Sequence, residues 1–442
     1  MEKIGLGIAS LVVTVGPWVA CSTSNGVSPG SASDAGAATL SASSDTGRGA
    51  SNGSLGATSG SGASGSRGGG AAAGPEGGLV DGGARADAFA AEDAPSSTNS
   101  TLDSDSGPEV NEGDSGSDGP APTSCVAAGP GLTNCGPAGS GTESCCTSLE
   151  VQGGTYDRTY TSEADGGAVD QADPATVNRF RLDKYDVTVG RFRQYVNYLI
   201  DGGSPPADGS GRHNHLNGGQ GLTSGAAGGG RYEAGWDATD WNANIATGPA
   251  AAGTWNTNLA CEAGYDTWTS EPSNQENLPI NCVNWYEAYA FCIWDGGFLP
   301  SEAEWEYVAA GGSQEREYPW GSADPGSTNQ YAIYDAYYTA DSTDIAPVGT
   351  ATLGAAAWGQ LDMAGEVYEW NLDWYAAYAD PCDNCANLSS TEQAEAAGTT
   401  ASRVFRGGNV NSVEAYLVPS LRYFNDPTYR AYGLGLRCAR TP

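Results

Sequence analysis

The composition of this 442-residue chain changes abruptly near residue 125, and that change limits where a folded domain can lie. Residues 22–124 are dominated by Ser, Gly, Ala and Asp, and their single aromatic residue is Phe89. Such a stretch buries too little apolar surface to offset the conformational entropy that is lost on folding. We therefore expect residues 22–124 to form a disordered tether and the folded part to begin after it.

The first 21 residues carry the features of a bacterial export signal. Lys3 precedes an apolar run that Gly and Pro interrupt and that is too short to span a bilayer. The sequence Trp-Val-Ala-Cys at residues 18–21 resembles a lipobox, whose cysteine is acylated. The pattern predicts a signal peptide over residues 1–21, and a lipid on Cys21 that anchors the chain in the cell envelope, in the periplasm or on the outer surface. Plain secretion without a lipid is the alternative.

The formal net charge of −34 excludes one class of partner. Nucleic-acid binding needs a basic surface that displaces the counterions of the phosphates, and this chain has 53 acidic residues against 19 basic ones. The same excess argues against a polybasic membrane patch. Solubility and self-repulsion of the tether explain the charge more simply than a basic partner does.

Eleven cysteines indicate an oxidising compartment, in which disulfides persist. A lipid on Cys21 leaves ten, an even number that can pair completely. Residues 125–146 form a cysteine-containing neck, where Cys145 and Cys146 are expected to pair with other cysteines because adjacent ones rarely bond to each other. A metal site is the alternative. Cys382 and Cys385 lie in a loop, which favours a surface disulfide over a redox-active dithiol.

Periodic apolar residues and capping residues predict the elements of the folded part. Three helices are expected, each with a side chain that accepts hydrogen bonds from its first turn, over residues 189–200, 285–294 and 302–310. Their N-caps are Thr188, Asn284 and Ser301, and the last two have a glutamate three residues on. Strands are expected over residues 151–156 and 176–186.

Residues 201–276 are rich in Gly, Asn and Ala, and no elements are assigned to them. This stretch holds the only two histidines of the chain, His213 and His215. With a carboxylate they could form a two-His-one-carboxylate iron site. In a loop of this composition we expect both to be solvated side chains instead.

Three long motifs in order resemble one known family. Residues 285–321 run through the two capped helices to Tyr-Pro-Trp-Gly, residues 361–374 read Leu-Asp-Met-Ala-Gly-Glu-Val-Tyr-Glu-Trp-Asn-Leu-Asp-Trp, and residues 403–440 contain Arg-Gly-Gly and close with Gly-Leu-Arg-Cys-Ala. Together they resemble the formylglycine-generating enzymes, or sulfatase-modifying factors, over about residues 144–442. The resemblance implies, for residues 147–442, an irregular α+β fold with little regular secondary structure, related to the C-type lectin fold.

The resemblance also implies an activity whose reactive residues are missing here. The family oxidises a cysteine of sulfatases to formylglycine with Cu(I) held by two cysteine thiolates. Those two positions fall on Ser412 and Leu417, and neither side chain replaces a soft sulfur ligand. We therefore expect no copper and no formylglycine-generating activity, and predict a binding or scaffold module for a peptide, protein or glycan. An oxidoreductase of the formylglycine-generating type with an altered active site is the alternative, and a lectin-like glycan binder is a third reading.

Further expectations follow from the same resemblance. The family's conserved bridge falls on Cys292 and Cys438, a second bridge is missing, and Cys261 with Cys282 is a local replacement. The family's calcium loop falls on Glu366 and Glu369, although Glu369 could instead be a buried structural acid. The iron site of the related ergothioneine-pathway enzymes needs three histidines, more than this chain has.

A groove beside the family's reactive position is expected to contain Trp370, Arg406, Asn409 and Arg422. Aromatic and basic side chains of this kind make a platform for a peptide or a glycan. The alternative for Trp370 is a place in the core.

Overall fold

The computed structural model describes residues 121–162, 167–224, 231–338, 344–390 and 401–442. The signal peptide, Cys21 and most of the tether therefore lie outside the described residues. The end assigned to the tether does not: Ser124 is buried, and its backbone N–H donates to Asp295 at 2.7 Å. The folded domain thus begins before Cys125, earlier than expected, because this segment supplies a partner for a buried carboxylate.

The described residues contain five α-helices and twelve short strands. The helices are α1 Val189–Ile200, α2 Ala238–Trp241, α3 Ala251–Asn258, α4 Trp285–Trp294 and α5 Glu302–Ala309. The strands are β1 Ser148–Val151, β2 Gly154–Ser162, β3 Ala168–Val177, β4 Phe180–Asp183, β5 Thr223–Ser224, β6 Tyr368–Trp374, β7 Cys382–Asp383, β8 Cys385–Ala386, β9 Arg403–Arg406, β10 Tyr423–Asn425, β11 Leu434–Gly435 and β12 Ala439–Arg440. No helix in these ranges is long and apolar enough to cross a membrane.

The strands form four small sheets, which confirms an α+β fold with modest regular structure. Their orders are β1-β4-β12, β10-β9-β6-β11, β2-β3-β7 and β5-β8. In the four-stranded sheet, β6 runs antiparallel to β9, with Glu369 opposite Arg406, and parallel to β11. This sheet places the motif at residues 361–374 beside the motif that closes the chain.

The capped helices are confirmed with their caps. Thr188 accepts a hydrogen bond from the backbone of α1, and complete capping boxes begin α4 and α5. The strand expected over residues 151–156 is divided into β1 and β2. At Gly153 a Cβ would lie 2.5 Å from the Val177 carbonyl oxygen, so this backbone passes too close for a side chain, and the two halves on either side join different sheets.

Five disulfides join all ten cysteines of the described residues. They are Cys125–Cys146, Cys135–Cys145, Cys261–Cys282, Cys292–Cys438 and Cys382–Cys385. The pairings expected for Cys292 and for the adjacent cysteines are confirmed. The Cys382–Cys385 bridge is not on the surface as expected, because both residues are buried in a core cluster with β2 and β3.

Candidate functional site

The two positions where the family has its reactive cysteines lie close to β9, in the segment that follows Arg406. Gly408 makes the turn possible, since its φ is +78° and a Cβ there would sit 3.0 Å from the Tyr416 carbonyl oxygen. Ser412 is only 5% exposed and Leu417 only 1% exposed. Both side chains therefore lie beneath the surface.

The Ser412 hydroxyl is held by neutral partners. It donates to the side-chain oxygen of Asn409 at 3.1 Å and accepts from the Asn409 backbone N–H at 2.9 Å. The Tyr368 hydroxyl oxygen lies 3.3 Å away. Burial raises the pKa of Tyr368, and hydrogen bonds from Ser412 and Tyr423 offset part of that rise. The site therefore carries hydroxyl groups in their neutral form at physiological pH.

Leu417 belongs to a small apolar cluster. Its neighbours there are Tyr318, Ala332, Tyr334 and Ala364, with Trp320 and Val418 packed against them. A leucine side chain has no atom that ligates a metal. Every cysteine of the described residues is in a disulfide, so no free thiol among them replaces the missing donors.

A rim of hydroxyl and aromatic groups surrounds Ser412 at the surface. The hydroxyl rim, as we name it, consists of Tyr368, Tyr416 and Tyr423 together with Val413. The ring of Tyr423 lies 5.0 Å from Tyr368 and 6.0 Å from Tyr416, between their centroids. Tyr416 is 39% exposed and Val413 is 47% exposed. The rim thus combines accessible apolar surface with hydroxyl donors and acceptors.

The expected groove is only partly assembled, and two of its residues were placed there wrongly. Trp370 is fully buried, and its indole N–H donates to the Val283 carbonyl at 3.0 Å. Arg406 is also fully buried, because its guanidinium is drawn in by two carboxylates of α5. Of the four expected residues, the structure brings only Asn409 against Ser412.

Arg422 lies in a separate, charged cluster with Arg406. Its guanidinium makes two hydrogen bonds of 2.6 Å to the two carboxylate oxygens of Glu302, which also accepts from Arg406 at 3.0 Å. Glu306 pairs with Arg406 at 2.9 Å, and burial raises its pKa to about 7. These guanidinium groups have their partners within the protein, so they hold α5 to β9.

The predicted calcium residues are both buried and differ in their partners. One Glu369 oxygen accepts from Trp305 at 2.8 Å and from Arg437 at 2.6 Å, and the other has no hydrogen-bond partner. Glu366 accepts from the backbone N–H of Ala346 at 3.2 Å. No group of three or more His, Cys, Asp or Glu in the described ranges is arranged to hold a metal ion. Calcium at Glu369 would thus depend on its one unpaired oxygen and on backbone carbonyls.

The prediction of two solvated histidines was wrong, because both ring nitrogens of His215 are buried and so is the whole side chain of His213. This side chain is fully buried between two carboxylates, with Nδ1 2.9 Å from Glu233 and Nε2 3.0 Å from Glu304. Burial lowers its pKa, but the two carboxylates raise the pKa by more than burial lowers it, and the net result is a pKa of about 10. The partners lie 20 and 91 residues away, a separation that no local pattern reveals.

Comparisons with known proteins agree with this geometry. The model of the "Sulfatase-modifying factor enzyme 1-like domain" family matches residues 137–442. A formylglycine-generating enzyme of Thermomonospora curvata is 33% identical over 181 residues, 39% of this chain and 59% of that protein. A hercynine oxygenase of Mycolicibacterium thermoresistibile is 30% identical over 215 residues, 48% of this chain and 46% of that protein. The aligned stretches therefore span about half the length of these curated relatives.

Among solved structures, this chain is similar to that of PvdO from Pseudomonas aeruginosa. It is 20% identical, with a TM-score of 0.43, and the match covers 67% of this chain and 94% of that one. The family model extends over well more than half of the 442 residues and includes the three capped helices, the β6 motif and the closing strand. This chain belongs to the family of sulfatase-modifying factor enzyme 1-like domains.

Proposed function

We propose that this chain is a binding module of the cell envelope that keeps the family's scaffold and does not generate formylglycine. The observation that carries the proposal is the pair Ser412 and Leu417, both buried, at the positions of the copper-binding cysteines. Cu(I) prefers soft sulfur ligands, and these side chains supply one hard oxygen and no donor at all. The disulfides leave no substitute thiol in the described part of the chain.

The decisive experiment measures copper and turnover together. Purified protein is titrated with Cu(I), and oxygen consumption is followed with a Cys-X-Pro-X-Arg peptide. We expect no stoichiometric copper binding and no turnover. The double variant Ser412→Cys with Leu417→Cys is the matched gain-of-ligand control, and it is expected to bind Cu(I). Turnover by the unmodified chain would establish the alternative, an oxidoreductase with an altered active site.

The hydroxyl rim supports binding at the same place. Tyrosine contributes large contact area at low entropic cost, and it is enriched where proteins recognise other molecules. Exposed Tyr416 and Val413 are the residues on which a peptide, protein or glycan would rest. Glycan and peptide arrays should give a signal that Tyr416→Ala removes. The exposed Tyr198→Ala on α1, remote in sequence from the rim, is the control expected to leave it unchanged.

The envelope location rests on the signal pattern and on Cys21. The lipid on Cys21 would be the partner that attaches the module to the membrane, and residues 22–124 would extend it from the surface. Metabolic labelling with a radioactive fatty acid tests this: label is expected on the full chain and not on Cys21→Ser. Export without label would favour plain secretion.

A calcium ion beside Glu366 and Glu369 is the remaining proposal for a cofactor. The unpaired buried oxygen of Glu369 supports it, because a hard carboxylate oxygen suits Ca²⁺. Calcium at a hundredfold excess over its Kd would stabilise the folded state by about 2.7 kcal/mol. A rise in Tm with CaCl₂ that MgCl₂ does not reproduce, and that Glu366→Gln diminishes, is expected. No rise with either salt would exclude the site.

A further inference from the structure

A second recess lies next to the Ser412 site and is formed by different residues. It is a cleft of about 240 Å³ between the end of β2 and the segment that follows Leu417. Pockets for drug-sized ligands are usually ~300–1,000 Å³, so this one suits a side chain or an end group rather than a whole cofactor. We name it the Glu317 cleft, after its one charged lining residue.

The lining of the Glu317 cleft has two chemically distinct parts. Val418 and Pro419 form an apolar wall, while Thr161, Ser162 and Ser420 contribute hydroxyl groups. None of the described residues that line it is basic. The cleft therefore offers an apolar surface for methylene groups, and oxygen atoms together with one negative charge for the polar end of a ligand.

Glu317 has no partner in the part of the chain that the structure describes. Among the described residues its carboxylate accepts no hydrogen bond and forms no ion pair, although the side chain is half-buried. The neighbouring Arg316 does not neutralise it, since its guanidinium donates to Gln314 and to the Pro319 carbonyl. The buried carboxylates of Glu302 and Glu369, in contrast, have guanidinium partners. A half-buried acid facing a cleft attracts an external cation.

We propose that the Glu317 cleft binds the primary ammonium group of a lysine side chain from a partner polypeptide. The four methylenes of lysine would pack on Val418 and Pro419, as long charged side chains commonly do. The ammonium has three donors around a compact charge, which matches one carboxylate and separate hydroxyl groups. A guanidinium carries its donors in one plane, as Arg422 does against the two oxygens of Glu302, and in the cleft only the Glu317 carboxylate suits that arrangement. The separate hydroxyl groups suit the three donors of an ammonium better.

This inference rests on the proposed binding function and specifies a partner for it. Val418 directly follows Leu417 and packs against the same apolar cluster, so the cleft and the hydroxyl rim flank one segment, residues 412–420. We place a lysine of the polypeptide that binds the rim in this cleft. The net charge of −34 would also speed the approach of a basic partner.

The test uses short blocked peptides and the full chain. Ligand-observed NMR measures the Kd of three peptides. They are Gly-Lys-Gly, the same peptide with norleucine in place of lysine, which lacks the ammonium, and the same peptide with arginine in place of lysine. We expect the lysine peptide to bind at least tenfold more tightly than the norleucine peptide, with an affinity that falls as salt is added. Equal affinity for norleucine, or for arginine, would overturn the assignment of an ammonium. Binding of n-butylamine as tight as that of the lysine peptide would overturn the polypeptide source.

Two variants separate the cleft from general charge effects. Glu317→Gln is expected to weaken the lysine peptide about tenfold, the effect of losing one charge-assisted contact. Glu150→Gln removes the same charge from β1, where Glu150 pairs with Arg179, and should leave the Kd of the lysine peptide unchanged. Equal losses of affinity for the lysine peptide in the two variants would contradict binding of lysine at the Glu317 cleft. Because Tyr416→Ala tests the rim separately, failure of the lysine peptide would leave the proposed binding function standing.

Discussion

The surroundings of Arg437 and of Ser412 show two ways in which one domain holds buried polar groups. Arg437 is fully buried and charged, with its guanidinium 2.6 Å from Glu369 and 2.9 Å from Asp186. Ser412 is nearly as buried, but its partners are a neutral amide, a backbone N–H and the Tyr368 hydroxyl. Removing a partner from a buried ion pair leaves an uncompensated charge, whereas removing one neutral hydrogen bond costs far less. The charged cluster is therefore the rigid part, and the position of Ser412 tolerates chemical change.

The largest loss of stability should come from Arg437→Met. Glu369 and Asp186 would stay buried without their cation, and we expect the free energy of unfolding to fall by about 3–5 kcal/mol. Urea denaturation measures it. Arg179→Met is the matched control, because its pair with Glu150 is exposed and should contribute below about 1 kcal/mol. Similar losses in the two variants would remove the distinction between buried and exposed charge.

Leu417→Ala tests whether this side chain, at a position where the resemblance implies a reactive cysteine, is part of the core. Deleting a buried leucine side chain is expected to cost about 3 kcal/mol, because a cavity remains among Tyr318, Tyr334 and Ala364. The exposed neighbour Val413→Ala should change stability by less than about 0.5 kcal/mol. A thermal or urea midpoint for Leu417→Ala equal to that of the unmodified chain would show that this position is not packed.

The buried charge on His213 predicts a pH dependence. Its folded pKa of about 10 exceeds the ordinary value of 6.5, so the folded state binds more protons between those limits. The stability that His213 contributes is complete below pH 6.5 and is lost as the pH rises towards 10, with a slope of at most about 1.4 kcal/mol per pH unit.

Urea midpoints between pH 7 and 10 measure this slope. His213→Gln should make the stability nearly independent of pH over this range. His215→Gln should keep the slope, since burial lowers the pKa of His215 and leaves that ring neutral over this range. A slope unaffected by His213→Gln would mean that the imidazole is neutral between its two carboxylates.

The smallest loss of stability is expected for Ser412→Ala. The Asn409 N–H loses its acceptor and Tyr368 loses a hydroxyl neighbour, which costs about 1 kcal/mol. The comparison with Arg437→Met is made under the same urea conditions. If Ser412→Ala were as destabilising as Arg437→Met, the Ser412 hydroxyl would be required for the stability of the fold, and this position would not tolerate chemical change.

Local signals anticipated the parts of the fold that are determined locally. The caps at Asn284 and Ser301 act within one helical turn, so they are visible in the order of the residues and appear in the structure. The pairing of Cys292 with Cys438 came from the resemblance to the family rather than from spacing, and it is confirmed. The groove was anticipated less well, since both faces of β6 are buried and the family motifs do not report which side chains are accessible.

By itself the sequence indicated roughly where the folded part begins, predicted α1, α4 and α5 with their caps, and carried the motifs of the family. These properties depend on composition, on contacts within a turn and on residue identity. Only the tertiary structure decided that Arg406 and Trp370 are buried, that His213 lies between Glu233 and Glu304, and that Glu317 lines a cleft and has no partner among the described residues. Burial and charge pairing arise between residues far apart in the chain, and the free energy of a charged side chain depends on those distant neighbours.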